Sequence, residues 1–300
     1  MDDPFEAMDH DDRGARDDDF FDEEIDEEDD SDEERSASSD EESSIDVEER
    51  FNTNLRRIKE NDPRATDLEG SGEDEAIQNM TDEEWEELGS YIAANNYLGV
   101  VELSLGALND HKISYLFRGL TRSNTIKEML LYDNGLSVDG LRSMLPFLQN
   151  SNNLRYLHLY GNNIQSEGFN LLFRTLSDSP IEKLRCVNCD IESIEIDGNE
   201  IPKYLKTIIL DDNNINADGC REVAKLLQGG DSTLTTLWLG NNKIDDEGVT
   251  ILVDALQNNT KLTTLDLREN DGLSTQGQIM LLKLVNDISS IKALCNQITH

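Results

Sequence analysis

Cys186-Val-Asn-Cys189 has the spacing of half a zinc site or of a thiol redox pair. A closed tetrahedral zinc site needs four donors, and no second CxxC or CxxxH stands elsewhere in the 300 residues. The histidines (His10, His111, His158 and His300) form no constellation with a nucleophile, and G-x-S-x-G, P-loop and HExxH motifs are absent. These residues predict a non-catalytic protein without metal or cofactor. The residue types that do suggest chemistry suggest recognition. Tyr132, Tyr156, His158, Tyr160, Arg185, Val187, Ile209, Trp238, Asp266 and Arg268 recur at fixed intervals, with Asp211, Asp212 and Glu269 among them. Tyr, Trp and Arg dominate the energetics of protein interfaces.

The interval comes from the elements that carry these residues. Leu154-Arg-Tyr-Leu157-His-Leu159-Tyr-Gly-Asn162-Asn-Ile164 returns as Leu234-Thr-Thr-Leu237-Trp-Leu239-Gly-Asn-Asn242-Lys-Ile244. The pattern LxxLxLxxNxI begins at Leu98, Ile126, Leu154, Ile181, Leu205, Leu234 and Leu262, at spacings of 28, 28, 27, 24, 29 and 28 residues. Alternation at positions four and six predicts a short strand with those side chains pointing inward. The Asn at position nine (Asn134, Asn162, Asn213, Asn242, Asn270) marks the turn into the core, where its amide can bond freed backbone groups. A glycine follows (Gly140, Gly168, Gly219, Gly248, Gly277), then apolar residues at helical spacing, such as Leu172, Phe173 and Leu176. Each repeat is thus strand, turn and helix, so consecutive strands must pair in parallel. The third, fifth and seventh positions then face away from the core, and the residues named above occupy them, except Asp212 and Glu269, which follow at the eighth.

A repeat of this length and pattern resembles the ribonuclease-inhibitor-like subfamily of leucine-rich repeat proteins, over about residues 98–295. The resemblance implies an α/β solenoid: a right-handed horseshoe with parallel strands on the concave face and helices mostly on the convex face. It also implies that a protein partner binds the concave face. The repeat register accounts for the CxxC, with Cys186 at an inward strand position and Cys189 in the Asn slot. The fourth repeat departs, because Ile191-Glu-Ser-Ile-Glu-Ile196-Asp-Gly198 replaces the helical pattern with alternation and predicts an extended segment.

The chain carries a net charge of −38, and residues 1–80 hold 33 acidic against 8 basic residues, a net of −25. With so few apolar groups, this segment predicts a mostly disordered acidic tail. Thr81-Asp-Glu-Glu84 is a capping box, and Trp85, Leu88 and Ile92 share a helical face, which predicts a capping helix over 81–97. The domain of about seven repeats then fills 98–300, closed by a truncated coil from Ile291. Within the tail, Phe51, Leu55 and Ile58 recur at i, i+4 and i+7 beside Arg56 and Arg57, as expected of a helix that folds on binding.

The acidic tail is expected to modulate binding, since it attracts basic partners and repels phosphate. Direct nucleic-acid binding is therefore disfavoured. Two alternatives accompany the scaffold. The chain resembles Ran GTPase-activating proteins, which join such repeats to an acidic region, and this implies a small GTPase partner. In that family, however, the acidic region follows the repeats. The tail alone also suits a chaperone for basic proteins such as histones. The acidic N-terminus and the absence of a long apolar run predict a protein of the cytoplasm or nucleus, away from membranes, and a monomer is expected.

Overall fold

The inward leucines meet in register. The computed structural model describes residues 47–198, 200–228, 233–287 and 292–294, with side chains from 50 to 284. In chain order the elements are α1 (Val47–Lys59), β1 (Asp67–Ser71), α2 (Glu75–Gln78), α3 (Asp82–Ala94), β2 (Val100–Ser104), α4 (Asp110–Gly119), β3 (Glu128–Leu130), α5 (Val138–Asn150) and β4 (Tyr156–His158). They continue with α6 (Gln165–Thr175), β5 (Lys183–Arg185), β6 (Thr207–Ile209), α7 (Ala217–Leu227), β7 (Thr236–Trp238), α8 (Asp246–Leu256), β8 (Thr264–Asp266), α9 (Thr275–Asp287) and β9 (Lys292–Leu294). The nine strands form one parallel sheet in the order β1 to β9. Leu68, Val101, Met129, Leu157, Leu184, Ile208, Leu237 and Leu265 lie side by side across it, and all are buried. The fold is the leucine-rich repeat solenoid that the periodicity predicts.

Position nine behaves as its chemistry requires. Asn162 Nδ2 donates to the carbonyls of Leu131 (2.6 Å), Leu159 (3.0 Å) and Tyr160 (3.2 Å). Its Oδ1 accepts from the backbone N–H of Asn134 (3.2 Å) and Leu136 (3.0 Å). One side chain thus closes its own turn and fastens the preceding coil to it. Asn134, Asn213, Asn242 and Asn270 repeat the arrangement. The residue before each of these turns is left-handed: Leu105, Asp133, Gly161, Asn188, Asp212, Asn241 and Glu269 all have φ between 47° and 67°. Most are the Asn, Asp or Gly that tolerate it.

The repeat array begins one coil earlier than the motif predicts. Strand β1 pairs with β2 from Asp67↔Val100 to Ser71↔Ser104, so Ala65 and Leu68 occupy positions one and four of a further coil. The capping box at Thr81 is present, and Trp85, Leu88 and Ile92 are buried on one face of α3. That helix belongs to the added coil and is not the end of the stack. The end is closed by α1. Its Phe51 and Ile58 are each 1% exposed, within the same core as Leu68 and Ile77. The sixth position of this coil is Gly70, where a Cβ would stand 2.4 Å from Ile77 Cδ1 and 3.0 Å from the Phe51 ring. Two side chains from outside the strand fill the space that a leucine takes elsewhere. The expected tail over 1–80 is therefore folded from α1 onward, and residues 1–46 lie outside the described ones.

Helices α3 and α4 approach closely through a reciprocal glycine pair. A Cβ on Gly89 would lie 2.0 Å from the Leu116 carbonyl oxygen, and one on Gly119 would lie 2.1 Å from that of Glu86. The coil that starts at Ile181 has no helix among its described residues, as its alternation predicts. Its extended segment buries Ile191, Ile194 and Ile196 and is held by neighbouring side chains. Ser166 Oγ accepts from the backbone N–H of Glu192 and Ser193, Asn170 Oδ1 from Glu195, and the Glu222 carboxylate from Ile196. At the other end β9 pairs with β8, as the truncated coil requires.

Candidate functional site

Parallel pairing without a shift in register places equivalent positions next to one another, about 5 Å apart. Three rows of side chains therefore cross the concave face. The fifth-position row runs Glu69, Glu102, Leu130, His158, Arg185, Ile209, Trp238 and Asp266. Beside it, the third-position row carries Glu128, Tyr156, Lys183 and Thr207. The seventh-position residues Tyr132, Tyr160, Val187, Asp211, Gly240 and Arg268 line up through the backbone, since each offers its carbonyl to the N–H following its neighbour.

The rows change character along the sheet. At the N-terminal end Asp67 and Glu69 are matched by Arg50 of α1, at 3.7 and 3.0 Å. The Tyr132 hydroxyl donates to Glu102. Burial first, then that carboxylate, pushes the Tyr132 phenol up to about 12, so it stays a donor near neutral pH. The middle of the face is aromatic, with Tyr156, His158 and Tyr160 on one coil, all half-buried. Arg185 and Trp238 follow, also half-buried. At the C-terminal end Arg268 folds over Asp266, with Nε 3.0 and 2.9 Å from its two oxygens.

Three residues expected to contact a partner are instead the floor of this surface. Val187 is 3% exposed, Ile209 4% and Asp266 3%. Each sits at an outward position yet is enclosed. Val187 lies between Tyr160 and Asp211, Ile209 between Arg185 and Trp238, and Asp266 beneath Arg268. The helix around Phe51 is likewise core: Phe51 and Ile58 are buried, Leu55 is half-buried against them, and Arg57 bonds Asn54 within its own helix. Only Arg56 of that group is fully on the surface.

The three described cysteines, Cys186, Cys189 and Cys220, are all buried, as the register implies. Cys189 sits in the Asn slot, and its thiol bonds the Leu159 carbonyl at 3.1 Å, as the Asn162 amide bonds Leu131 one coil earlier. The contact with Cys189, together with burial, holds the Cys186 thiol well above its usual range, and burial pushes Cys220 up to about 12. Thiols enclosed in this way pack as small apolar groups. Among the described residues no three His, Cys, Asp or Glu side chains gather as a metal site. His111 lies apart on the helices, 2.9 Å from Asp82. His10 and His300 are outside the described residues.

Repeat reasoning missed the pairing of Asp211 with Gly240. The Gly240 N–H donates to Asp211 Oδ1 at 2.6 Å, and a Cβ on Gly240 would lie 3.1 Å from that oxygen. A glycine breaking the seventh-position row was the available signal. Burial is the main reason that the Asp211 carboxyl is pushed up to about 7, with Asp266 and Asp212 adding to it and the Gly240 N–H and Arg185 opposing. A raised carboxyl pKa means that the folded state binds the extra proton between about pH 4 and 7, so stability falls as pH rises through that window. Asp211→Asn keeps the acceptor for Gly240 and removes the charge. It should therefore stabilise the protein at pH 8 by on the order of 2 kcal/mol, allowing for the solvent that still reaches this face. At pH 5 the gain should fall to less than half. Thermal unfolding of both proteins at the two pH values measures this, and an equal gain at each would refute it.

The architecture defines a leucine-rich repeat protein, and the comparisons agree. A family model for the leucine-rich repeat matches residues 150–169, 230–252 and 258–282. Pig (Sus scrofa) ribonuclease inhibitor is 26% identical over 201 residues, which covers 64% of this chain and 43% of that protein. Human (Homo sapiens) NACHT, LRR and PYD domains-containing protein 5 is 22% identical over 213 residues, or 59% of this chain and 18% of that one. A chain from the yeast Rad7–Elc1 complex superposes over 85% of this chain and 65% of its own length, at 15% identity and a TM-score of 0.48, too loose a likeness to carry an argument. The chain is a leucine-rich repeat protein, and its repeats are similar to those of ribonuclease inhibitor. It spans less than half the length of the curated relatives it matches.

Proposed function

We propose that this protein is a non-catalytic scaffold that binds a protein partner across the concave sheet face, with the acidic N-terminal segment modulating that binding. The observation that carries the proposal is the contiguity of Tyr156, His158, Tyr160, Arg185 and Trp238 on β4 to β7 and the turns that follow, partly exposed over a buried floor. Rigid aromatic side chains and arginine on a preorganised surface are the groups that anchor protein interfaces. Ribonuclease inhibitor, a relative with the same repeats, is named for action on another protein. Among the described residues no helix is long and apolar enough to cross a membrane. The remaining acidic charge of residues 1–46 would act at longer range and be screened by salt.

Alanine at Tyr160 or at Trp238 should each weaken partner binding by more than about 1 kcal/mol. Neither side chain belongs to the inward rows, so circular dichroism and the unfolding midpoint should change little. Unchanged affinity in both variants would remove the proposal.

A further inference from the structure

Two acidic side chains lie low on the C-terminal half of the concave face, and among the described residues only one of them is in an ion pair. Asp266 is 3% exposed and is held by Arg268 through Nε and Nη2, at 2.5–3.0 Å. Arg268 occupies the seventh position of its coil. Two coils earlier the seventh position is Asp211, so the equivalent place holds a carboxylate where the later coil holds a cation. Asp211 has the Gly240 N–H at 2.6 Å, and no cation lies within ion-pair distance of it among the described residues. A carboxylate drawn this far from water is costly to ionise without an opposite charge, which agrees with the direction of its shift.

The coil between them explains how the carboxylate is presented. Gly240 has no side chain, and the Asp211 carboxylate leans into the space that one would take. Two residues back on the same strand and face stands Trp238, diagonal to Asp211 across the β6–β7 pair. A carboxylate and an indole at this diagonal separation, about 7 Å, can share one guest. An indole face attracts a cation and a carboxylate pairs with it, and both interactions strengthen where water is thinned. Among the described residues the charged groups around the spot are Asp212, Asp266, Glu269, Arg185 and Arg268. With Asp211 ionised they sum to −2, so the local field favours a positive guest despite the two arginines.

We propose that Asp211 and Trp238 form a subsite for a lysine or arginine side chain of the protein partner. The proposal rests on reading the concave face as a protein-binding surface. It adds the chemistry of one contact: a basic side chain, seated on the indole, supplies to Asp211 what Arg268 supplies to Asp266.

The test uses the full chain and Nα-acetyl-arginine amide, followed by the indole N–H resonances in NMR. The chain has two tryptophans, Trp85 and Trp238, and Trp238→Phe assigns the signal. At pH 8 the arginine derivative should shift the Trp238 resonance saturably, and the uncharged citrulline analogue should not. Asp211→Asn should weaken this binding by about tenfold, the loss of one charge-assisted contact, and so should lowering the pH to 5.5. Equal shifts by the citrulline analogue, or equal affinity in Asp211→Asn, would overturn the subsite. The Asn variant keeps the Gly240 hydrogen bond, and the position of its unaffected amide resonances reports that it is folded. Partner binding that is lost in Tyr160→Ala but unchanged in Asp211→Asn would sink the subsite and leave the binding face standing. Saturable arginine binding with partner affinity indifferent to Tyr160→Ala and Trp238→Ala would do the reverse.

Discussion

Phe51→Ala should lower the stability of the repeat domain by about 3–5 kcal/mol, the cost of emptying a fully buried phenylalanine site. Phe51 is 1% exposed, and its ring stands over Gly70, the one inward strand position without a side chain. Among the described residues no coil precedes the first one, and α1 covers it with Phe51 and Ile58. Removing the ring leaves a cavity bounded by Ile77 and the bare backbone of β1, and water gains access to the end of the sheet. Urea unfolding of Phe51→Ala beside Asn52→Ala, an exposed neighbour on the same helix, measures the difference. A loss below about 1 kcal/mol would mean that α1 is not the cap.

Asn162→Ala should be comparably damaging, at about 3 kcal/mol or more. The side chain is 1% exposed and makes five hydrogen bonds to backbone groups of two coils. Alanine fills part of the volume and satisfies none of the bonds. The carbonyls of Leu131 and Leu159 and the N–H groups of Asn134 and Leu136 would then be buried without these partners. The penalty for each is on the order of 1 kcal/mol or more, softened by whatever water can enter. Asn163 is exposed, so Asn163→Ala is the matched control and should be nearly neutral. Equal unfolding midpoints for the two variants would contradict the role given to position nine.

The coils from Leu98 onward were legible because six apolar slots and an Asn slot recur together. Their physical meaning is the same in every coil, and the helix-free coil from Ile181 was legible for the same reason. The first coil was hidden by three substitutions. Ala65 stands at position one, Gly70 at position six and Glu73 at position nine, and the distance from Ala65 to Leu98 is 33 residues. Each change makes sense only once Phe51 and Ile77 are seen filling the gap at Gly70. The i, i+4, i+7 spacing of Phe51, Leu55 and Ile58 correctly marked a helix. Its surroundings of Asp and Glu suggested a free recognition element, whereas its partner is its own first coil.

The site divides in the same way. Which residues point to the concave face follows from the two-residue alternation of a strand, so Tyr156, His158, Tyr160, Arg185 and Trp238 could be named from the repeat. How deeply each lies does not follow from alternation, because it depends on the size of the side chain one coil away. Val187 beside Tyr160, and Ile209 beside Trp238, become floor for that reason. The link from Asp211 to Gly240 spans 29 residues and joins a side chain to a backbone N–H, which no pattern of residue types encodes.

The most direct measurement is quantitative affinity capture with three baits: the full chain, residues 45–300, and the full chain carrying Tyr160→Ala and Trp238→Ala. If the concave face is the binding surface, the same partner should be retained by the first two baits and fall by about tenfold or more on the third. A partner held equally by the double variant, or released when residues 1–44 are removed, would place the binding on the acidic segment and contradict the account.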